Sequence, residues 1–168
     1  TALPEVDSVQ IQVEGSPLLK LPKSGKVLEQ ELTRDFGINK VYDITNRNGI
    51  QKVTIYYLDK ISNNNYYVPV TKYLNDDRDK IKIIIDNLAS AYIHEENLMS
   101  YLNSKTTILD YSVEDNIFSL NLSNAIFGGD SILEEVEYTI QYSIFDNYDV
   151  DKVLLKVDGE LVSELTRE

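Results

Sequence analysis

The sequence predicts an α+β fold, a two-layer sandwich in which two helices cover one face of a mixed β-sheet. Two observations support it: β-branched and aromatic segments occur in pairs separated by polar turns, and a segment with apolar residues every three or four positions follows each pair. A third is the dipeptide Asp158-Gly159, which is typical of a two-residue hairpin turn. The predicted element order is therefore β-β-α-β-β-α-β, with a short edge strand after the last turn at residues 161–165.

Residues 1–50 differ from the rest and contain three of the four prolines, Pro4, Pro17 and Pro22. Val9, Ile11 and Val13 alternate with glutamines, which predicts a half-buried strand. Residues 26–36 predict a short helix with Val27, Leu28 and Leu32 inward. We expect an extended lead-in that packs on a main domain at residues 51–168. A flexible linker is the rival interpretation.

The main domain begins with a predicted hairpin. Residues 52–59 and 66–73 are its strands, residues 62–65 its turn, and Pro69 indicates an edge strand or a bulge. Asn75 or Asp76 is the expected N-cap of the helix that follows. The apolar stripe of that helix consists of Ile81, Ile84, Ile85, Leu88 and Tyr92.

The second half repeats this rhythm. Strands are predicted at residues 107–113 and 117–122 about a turn at residues 114–116. A helix follows, capped by Asp130 or Ser131, with Glu134 in its first turn. Its stripe consists of Leu133, Val136, Ile140 and Ile144. Residues 152–158 form the last strand, with Val153, Leu155 and Val157 on one face.

Composition narrows the classes of partner. The 28 acidic and 16 basic residues give a net charge of −12, which opposes binding to nucleic acid or to an anionic lipid surface and permits a basic protein partner. No apolar run reaches the roughly 20 residues that a membrane-spanning helix needs. Because the chain begins with Thr1, we expect a trimmed chain whose membrane attachment, if any, was a removed N-terminal anchor.

Candidate catalytic and metal-binding residues are few, since the chain has no cysteine and one histidine, His94. A metal site usually needs several ligands at suitable spacing, so a single histidine is weak evidence for one. Asp146, Asp149 and Asp151 could hold Ca²⁺, but their spacing does not match an EF-hand and favours a solvated turn. Asp76, Asp77 and Asp79 are better explained as residues at a helix start.

Other motifs also have simpler explanations. A pair among the 28 acids could support glycoside hydrolysis, yet no feature selects one pair. Asn121-Leu122-Ser123 matches a glycosylation acceptor. Gly128-Gly129 resembles part of a phosphate-binding loop, but the carboxylate of Asp130 would repel a phosphate group. We therefore predict no catalytic, cofactor-binding or metal-binding residues, no cofactor, and a protein that is not an enzyme.

Tyrosine is the residue type that most favours a binding role. Of the twelve tyrosines, five crowd the first hairpin: Tyr56, Tyr57, Tyr66, Tyr67 and Tyr73. Adjacent strand residues point to opposite faces, so some of these rings must face outward. Exposed tyrosines stack on sugars or become buried at protein interfaces. High β-propensity alone is the simpler explanation.

Three blocks of sequence resemble the GerMN domain family, a sporulation and spore-germination domain of Gram-positive bacteria. The first block is VTIYYLD at residues 53–59 with YVPV at 67–70. The second is TILDYSV at 107–113 with FSLNLS at 118–123 and AIF at 125–127. The third includes the helix at residues 136–144 and VLLKVDG at 153–159. The resemblance covers residues 52–165.

This resemblance implies an extracytoplasmic, often lipid-anchored protein of the Gram-positive cell envelope without known catalytic residues. It implies protein partners in the envelope, with self-association among them, and it makes Asn121-Leu122-Ser123 a strand end rather than an active serine. The function expected is a non-catalytic interaction or assembly module in sporulation or germination. The alternatives are a module that binds cell-wall carbohydrate or peptidoglycan and, ranked well below it, a hydrolase using carboxylates.

Overall fold

The computed structural model describes residues 6–23, 25–33, 36–62, 64–90, 98–127 and 131–167. Two α-helices, eleven strands and a short 3₁₀ helix at Asn124–Ile126 are assigned in these residues. In chain order they are β1 (Ser8–Val9), β2 (Gln12–Val13), β3 (Ser16–Pro17), β4 (Leu32–Thr33), β5 (Val41–Asp43), β6 (Gln51–Ile61), β7 (Asn64–Leu74), α1 (Lys80–Ala89), β8 (Ile108–Glu114), β9 (Ile117–Leu122), α2 (Glu134–Asn147), β10 (Lys152–Val157) and β11 (Glu160–Thr166). The predicted α+β class is confirmed, and the elements from residue 51 onward follow the predicted order along the chain.

The strands do not form the single sheet that we expected. One sheet has the order β5-β7-β6 and another the order β11-β10-β9-β8, while β1 pairs with β4 and β2 with β3. Both larger sheets are mixed: β5 is parallel to β7, and β9 is parallel to β10, whereas the remaining pairs are antiparallel. At its outer edge, β6 bonds to side chains of α2 and, at Leu58, to the backbone of Met99, and not to a strand of the other large sheet.

The hairpin of β6 and β7 is longer than predicted and has a continuous register, from Gln51 opposite Leu74 to Ile61 opposite Asn64. The predicted bulge at Pro69 is therefore absent from the described pairing. β7 is the central strand of its sheet, but its pairing with β5 begins only at Lys72. The Pro69 carbonyl accepts a hydrogen bond from the side chain of Asn39, in the segment before β5. Among the described residues, β7 has no neighbouring strand on that side at this position, so proline, which lacks an N–H, costs no strand-to-strand hydrogen bond.

Two tight turns confirm the hairpin signals in the second half. Asp115 and Asn116 both have positive φ between β8 and β9, and so do Asp158 and Gly159 between β10 and β11. Two consecutive residues with positive φ define the turn that matches the right-handed twist of paired strands. The predicted edge strand after Gly159 is β11.

One hydrophobic cluster joins both sheets and both helices. From the sheets it includes Val53, Ile55, Tyr57, Phe118, Leu120, Leu122, Val153 and Leu155, and from the helices Ile81, Ile84, Leu88, Val136, Ile140 and Ile144. The alternation predicted for the last strand is confirmed, and so are the stripes of the two helices with two exceptions. Leu133 is 43% exposed, and Tyr92 lies outside the described residues.

Neither helix begins where the sequence suggested. Asp79 is the N-cap of α1 and Leu133 that of α2, and neither side chain caps its helix by a hydrogen bond. Asn75 instead holds the loop at residues 45–48, and Asp76 binds Arg78. The caps assigned to Asn75, Asp76 and Ser131 are therefore wrong, because each side chain lies before the first turn of its helix. Asp130 lies outside the described residues, and Glu134 is in the first turn of α2 as expected.

The amino-terminal region differs most from expectation. The predicted half-buried strand is wrong, since Val9, Ile11 and Val13 are 41–52% exposed, and Ile11 lies between the two-residue strands β1 and β2. Residues 26–33 form no helix. Val27 is exposed and forms an isolated antiparallel β-bridge with Lys20, while Leu28 is buried as predicted. Residues 36–43 lie along β7, where Thr71 N–H donates to the Ile38 carbonyl and Ile38 N–H donates to the Thr71 hydroxyl.

Candidate functional site: a tyrosine surface

Four tyrosines from three elements meet on one side of the molecule. Tyr56 lies on β6, Tyr67 on β7, and Tyr138 and Tyr142 lie one turn apart on α2. Ring centroids are 5.5 Å apart for Tyr56–Tyr142 and Tyr67–Tyr142, and 5.4 Å apart for Tyr67–Tyr138 and Tyr138–Tyr142. Edge-to-face and offset arrangements at such distances are favourable for aromatic rings. We call these four residues the tyrosine surface.

The backbone explains which tyrosines of the hairpin join this surface. Leu58 lies opposite Tyr67 and Tyr56 opposite Pro69, so Tyr56 and Tyr67 project from the same face of the hairpin. Tyr57 projects from the other face and is 3% exposed in the core. Tyr66 is exposed, and Tyr73 stacks on Tyr42 at 5.0 Å. The crowding of tyrosines in the hairpin thus identified two members of the surface.

Sequence reasoning missed the two tyrosines of α2. Tyr138 and Tyr142 are spaced i, i+4, which places them on one helical face adjacent to the apolar stripe. That spacing could have indicated that the two rings lie together on the helix. It could not indicate which strand they would meet, because the packing of the helix is set by tertiary contacts.

Acidic and amide side chains surround the rings. The Tyr56 hydroxyl donates to Asp146 at 3.0 Å, and the Asn65 amide donates to Glu135 at 3.1 Å. Burial raises the pKa of Tyr67 to about 12, and the charges of Glu134 and Glu135 act in the same direction. Tyr67 therefore keeps its proton to a higher pH than an ordinary tyrosine does. The arrangement offers ring faces and hydroxyls within a negative rim, which suits cationic side chains.

Helix α2 is held against β6 by polar side chains as well as apolar ones. Ser143 Oγ accepts from Tyr56 N–H at 2.9 Å, and Asn147 accepts from Thr54 N–H at 3.1 Å and donates to the Thr54 carbonyl at 2.6 Å. These bonds satisfy the outer-edge backbone groups of Thr54 and the N–H of Tyr56, while Leu58 on the same edge exchanges two backbone bonds with Met99. They also fix the distance between the strand and the helix that carry the tyrosine surface.

Four of the six aspartates considered as metal ligands bond to other side chains. Asp146 accepts from Tyr56, and Asp151 accepts from Asn116 at 3.2 Å, while Asp149 is exposed. Asp79 accepts from the Tyr111 hydroxyl. The Arg78 guanidinium holds the pKa of Asp76 below its usual range through hydrogen bonds. The described residues contain no group of three or more His, Asp or Glu side chains arranged to hold a metal ion.

The remaining sequence candidates are structural or undescribed. Asn121 is buried near the end of β9, where it donates to Asp110 at 2.7 Å and accepts from Gly159 N–H at 2.9 Å. Ser123 accepts from Thr107 N–H, as expected for a strand end. His94, Gly128 and Gly129 lie outside the described residues. Among the helices that are described, none has the length and apolarity to cross a membrane.

Comparison with known proteins agrees with the resemblance in sequence. A family model described as Germane, sporulation and spore germination, matches residues 54–163. The spore germination protein GerM of Bacillus subtilis (strain 168) is 28% identical over 176 residues, which cover 100% of this chain and 48% of that protein. The chain thus spans about half the length of this curated relative.

Two solved structures from Bacillus subtilis share the fold. The tandem GerMN domains of the sporulation protein GerM superpose with a TM-score of 0.79 at 26% identity, covering 97% of this chain and 61% of that one. The first GerMN domain of GerM gives a TM-score of 0.53 at 20% identity, covering 66% and 85%. Because the family model spans most of the main domain, the chain belongs to the Germane family of sporulation and spore germination domains.

Proposed function

We propose that this chain is a non-catalytic interaction module of sporulation or germination that contacts a protein partner through the tyrosine surface. The observation that carries the proposal is the clustering of four half-buried tyrosines within an acidic rim. Tyrosine is enriched at protein interfaces because its ring gives a large contact area and its hydroxyl forms hydrogen bonds.

The charge of the chain supports a basic partner. Its net charge is −12, and Asp146, Glu134 and Glu135 lie beside the rings. Arginine and lysine side chains gain both from these carboxylates and from the ring faces. Electrostatic attraction of this kind accelerates encounter and rejects acidic competitors.

Family membership supports the proposed process. The matched family and the relative are described by sporulation and germination rather than by a catalysed reaction. From the resemblance in sequence we also propose a place in the cell envelope of a Gram-positive bacterium, anchored to the membrane or at the cell surface. Self-association is included among its protein contacts.

The test compares capture of envelope proteins by the wild-type chain and by Tyr67→Ala/Tyr142→Ala. Light scattering after size exclusion measures self-association, and mass spectrometry identifies proteins from the envelope of sporulating cells that are retained. We expect a defined partner or oligomer that the double variant loses and that salt weakens. Tyr101→Ala is the matched control, because Tyr101 is 42% exposed and lies outside the surface.

Two outcomes would contradict this proposal. One is a strict monomer that captures no defined partner at high concentration. The other is capture that persists unchanged in the double variant, which would place the contact elsewhere. Circular dichroism of each variant separates loss of contact from loss of fold.

A cell-wall binding module is the second candidate. Tyr42 and Tyr73 stack at 5.0 Å with an angle of 12° between ring planes, and Tyr42 is 59% exposed. A flat exposed ring is a platform on which a sugar ring can stack. Sedimentation with purified peptidoglycan sacculi tests it: retention that Tyr42→Ala abolishes supports this function, and no retention at low salt removes it.

A further inference from the structure

A second feature of the molecule is an open groove of about 530 Å³ between α1 and the edge strand β5. This volume is within the range of small-ligand sites, about 300–1,000 Å³. Apolar side chains of Val41, Leu74 and Ile83 contribute to its lining, and polar residues of β5, β7, α1 and the adjoining loop complete it. The groove is separate from the tyrosine surface, since no residue lines both.

Two polar residues of the groove serve the fold. The Asn75 side chain accepts from the backbone N–H groups of Thr45 and Asn46 and donates to the Asn48 carbonyl. Asp76 is bound to Arg78 at 2.7 Å. These two residues build the wall of the groove, so recognition of a ligand falls to other side chains.

Lys72 is the cation of the groove. It lies on the face of β7 that α1 covers, where its ammonium donates to Asn87 Oδ1 and lies 5.9 Å from the centre of the Tyr57 ring. Asn87 in turn donates to the Ile83 carbonyl at 2.8 Å, which fixes the orientation of its amide. An ammonium group has three donors, so the bond to Asn87 leaves capacity for an anionic group of a ligand.

Asp43 supplies the opposite charge. It is on β5, next to β7, and its charge raises the pKa of Lys72 against the lowering caused by burial. The two groups are not within ion-pair distance of each other in the described residues. A separated positive and negative charge at one groove favours a ligand that carries both signs.

We propose that the groove between α1 and β5 binds a small zwitterion of the amino-acid or short-peptide class, with its carboxylate on Lys72 and its ammonium group on Asp43. The apolar lining receives the side chain of the ligand. A half-buried lysine is costly to desolvate, and a ligand carboxylate restores the lost interactions of its charge. The site does not depend on the proposed role of the tyrosine surface.

The experiment titrates the isotope-labelled chain with the dipeptide Gly-Leu and follows backbone amide shifts by NMR. Acetyl-leucinamide, which lacks both charges, and N-acetylglucosamine are parallel probes. We expect saturable shifts at Val41, Lys72 and Asn87 with the dipeptide, and at least about tenfold weaker binding of the uncharged probe, since each lost charge-assisted contact costs on the order of tenfold or more.

Two variants and one control make the result specific. Lys72→Met keeps the aliphatic length and Asp43→Asn keeps the shape, and each should weaken dipeptide binding about tenfold or more. Lys156→Met on β10, a half-exposed lysine remote in the fold, should leave it unchanged. Equal binding of charged and uncharged probes, binding indifferent to both variants, or no shifts with the dipeptide would each overturn the proposal. Shifts with N-acetylglucosamine alone would also overturn it and would favour the carbohydrate function.

Discussion

Helices α1 and α2 pack on the same strand, β6, by different chemistry. α1 buries five apolar residues, Ile81, Ile83, Ile84, Ile85 and Leu88. α2 buries Val136, Ile140 and Ile144 together with Thr139, Gln141 and Ser143, and it adds the amide of Asn147 at the edge of β6. A helix over the face of a sheet needs only apolar contact, whereas a helix at the edge must also satisfy free backbone groups.

This difference also explains the position of the two candidate sites. The polar edge contact of α2 leaves Tyr138 and Tyr142 beside the hairpin, where they complete the tyrosine surface. The apolar contact of α1 covers part of the three-stranded sheet and leaves the groove at β5 open. The position of each candidate site therefore depends on how the neighbouring helix packs on the strands.

The largest effect is expected from Ile84→Ala in α1. Ile84 is fully buried, so the substitution removes apolar burial and leaves a cavity, and the free energy of unfolding should fall by about 3–4 kcal/mol. Urea denaturation measures it. Lys82→Ala, on the exposed side of the same helix, should change stability by less than about 0.5 kcal/mol. A loss for Ile84→Ala no greater than that of this control would show that apolar packing does not hold α1.

The next effect is expected from Asn147→Ala in α2. The variant leaves the Thr54 N–H and carbonyl without their side-chain partner, which should lower the free energy of unfolding by about 2–3 kcal/mol. Hydrogen exchange at the Thr54 amide should accelerate beyond the global loss of stability. Asn124→Ala is the control, since Asn124 is exposed. Unchanged exchange at Thr54 would contradict the edge role of α2.

A smaller effect is expected where the two helices meet. The Tyr148 hydroxyl, at the end of α2, accepts from Ile81 N–H in the first turn of α1 at 2.8 Å. Tyr148→Phe removes this acceptor and should cost about 1 kcal/mol in thermal or urea unfolding. Tyr101→Phe provides the comparison at an exposed ring. Equal stability of the two variants would mean that water replaces the Tyr148 hydroxyl.

The last effect appears only at alkaline pH, and it is small because the Tyr148 ring is half-exposed and solvent screens its charge. Burial raises the pKa of Tyr148 to about 12, from an ordinary value of 10. Between these values the folded chain holds a proton that the unfolded chain has released, so the free energy of unfolding falls as pH rises through this window. Wild type should lose more stability from pH 10 to 12 than Tyr148→Phe does. Parallel pH profiles of the two proteins would refute a raised pKa at this residue.

The contrast between the helices also shows what was predictable. The stripe of α1 was readable because every inward position from Ile81 to Leu88 is apolar. In α2 only the apolar positions were readable, because the polar residues Thr139, Gln141 and Ser143 carry no periodic signal of their burial. Ser143 and Asn147 bond to the edge of β6, 87 and 93 positions away in the chain, and Gln141 donates to Ser163 on β11.

Helix ends show the same limit. Local caps were expected from nearby polar residues, yet the Tyr148 hydroxyl accepts a hydrogen bond from Ile81 N–H in the first turn of α1. Arg167, beyond β11, donates to the carbonyls of Phe145 at 2.6 Å and Tyr148 at 3.0 Å at the end of α2. Terminal helix groups accept any suitable partner, and here the partners are distant in sequence.

By itself the sequence determined the kinds of element, their order from residue 51, the two tight turns and the apolar part of the core. Periodicity and turn residues act over a few positions, so a single chain displays them directly. Only the tertiary structure decided that the strands divide into two larger sheets, that α2 seals the edge of β6, that four tyrosines meet, and that Lys72 and Asp43 share a groove. These features depend on contacts between segments far apart in the chain, where packing and hydrogen-bond satisfaction of the whole fold select the partners.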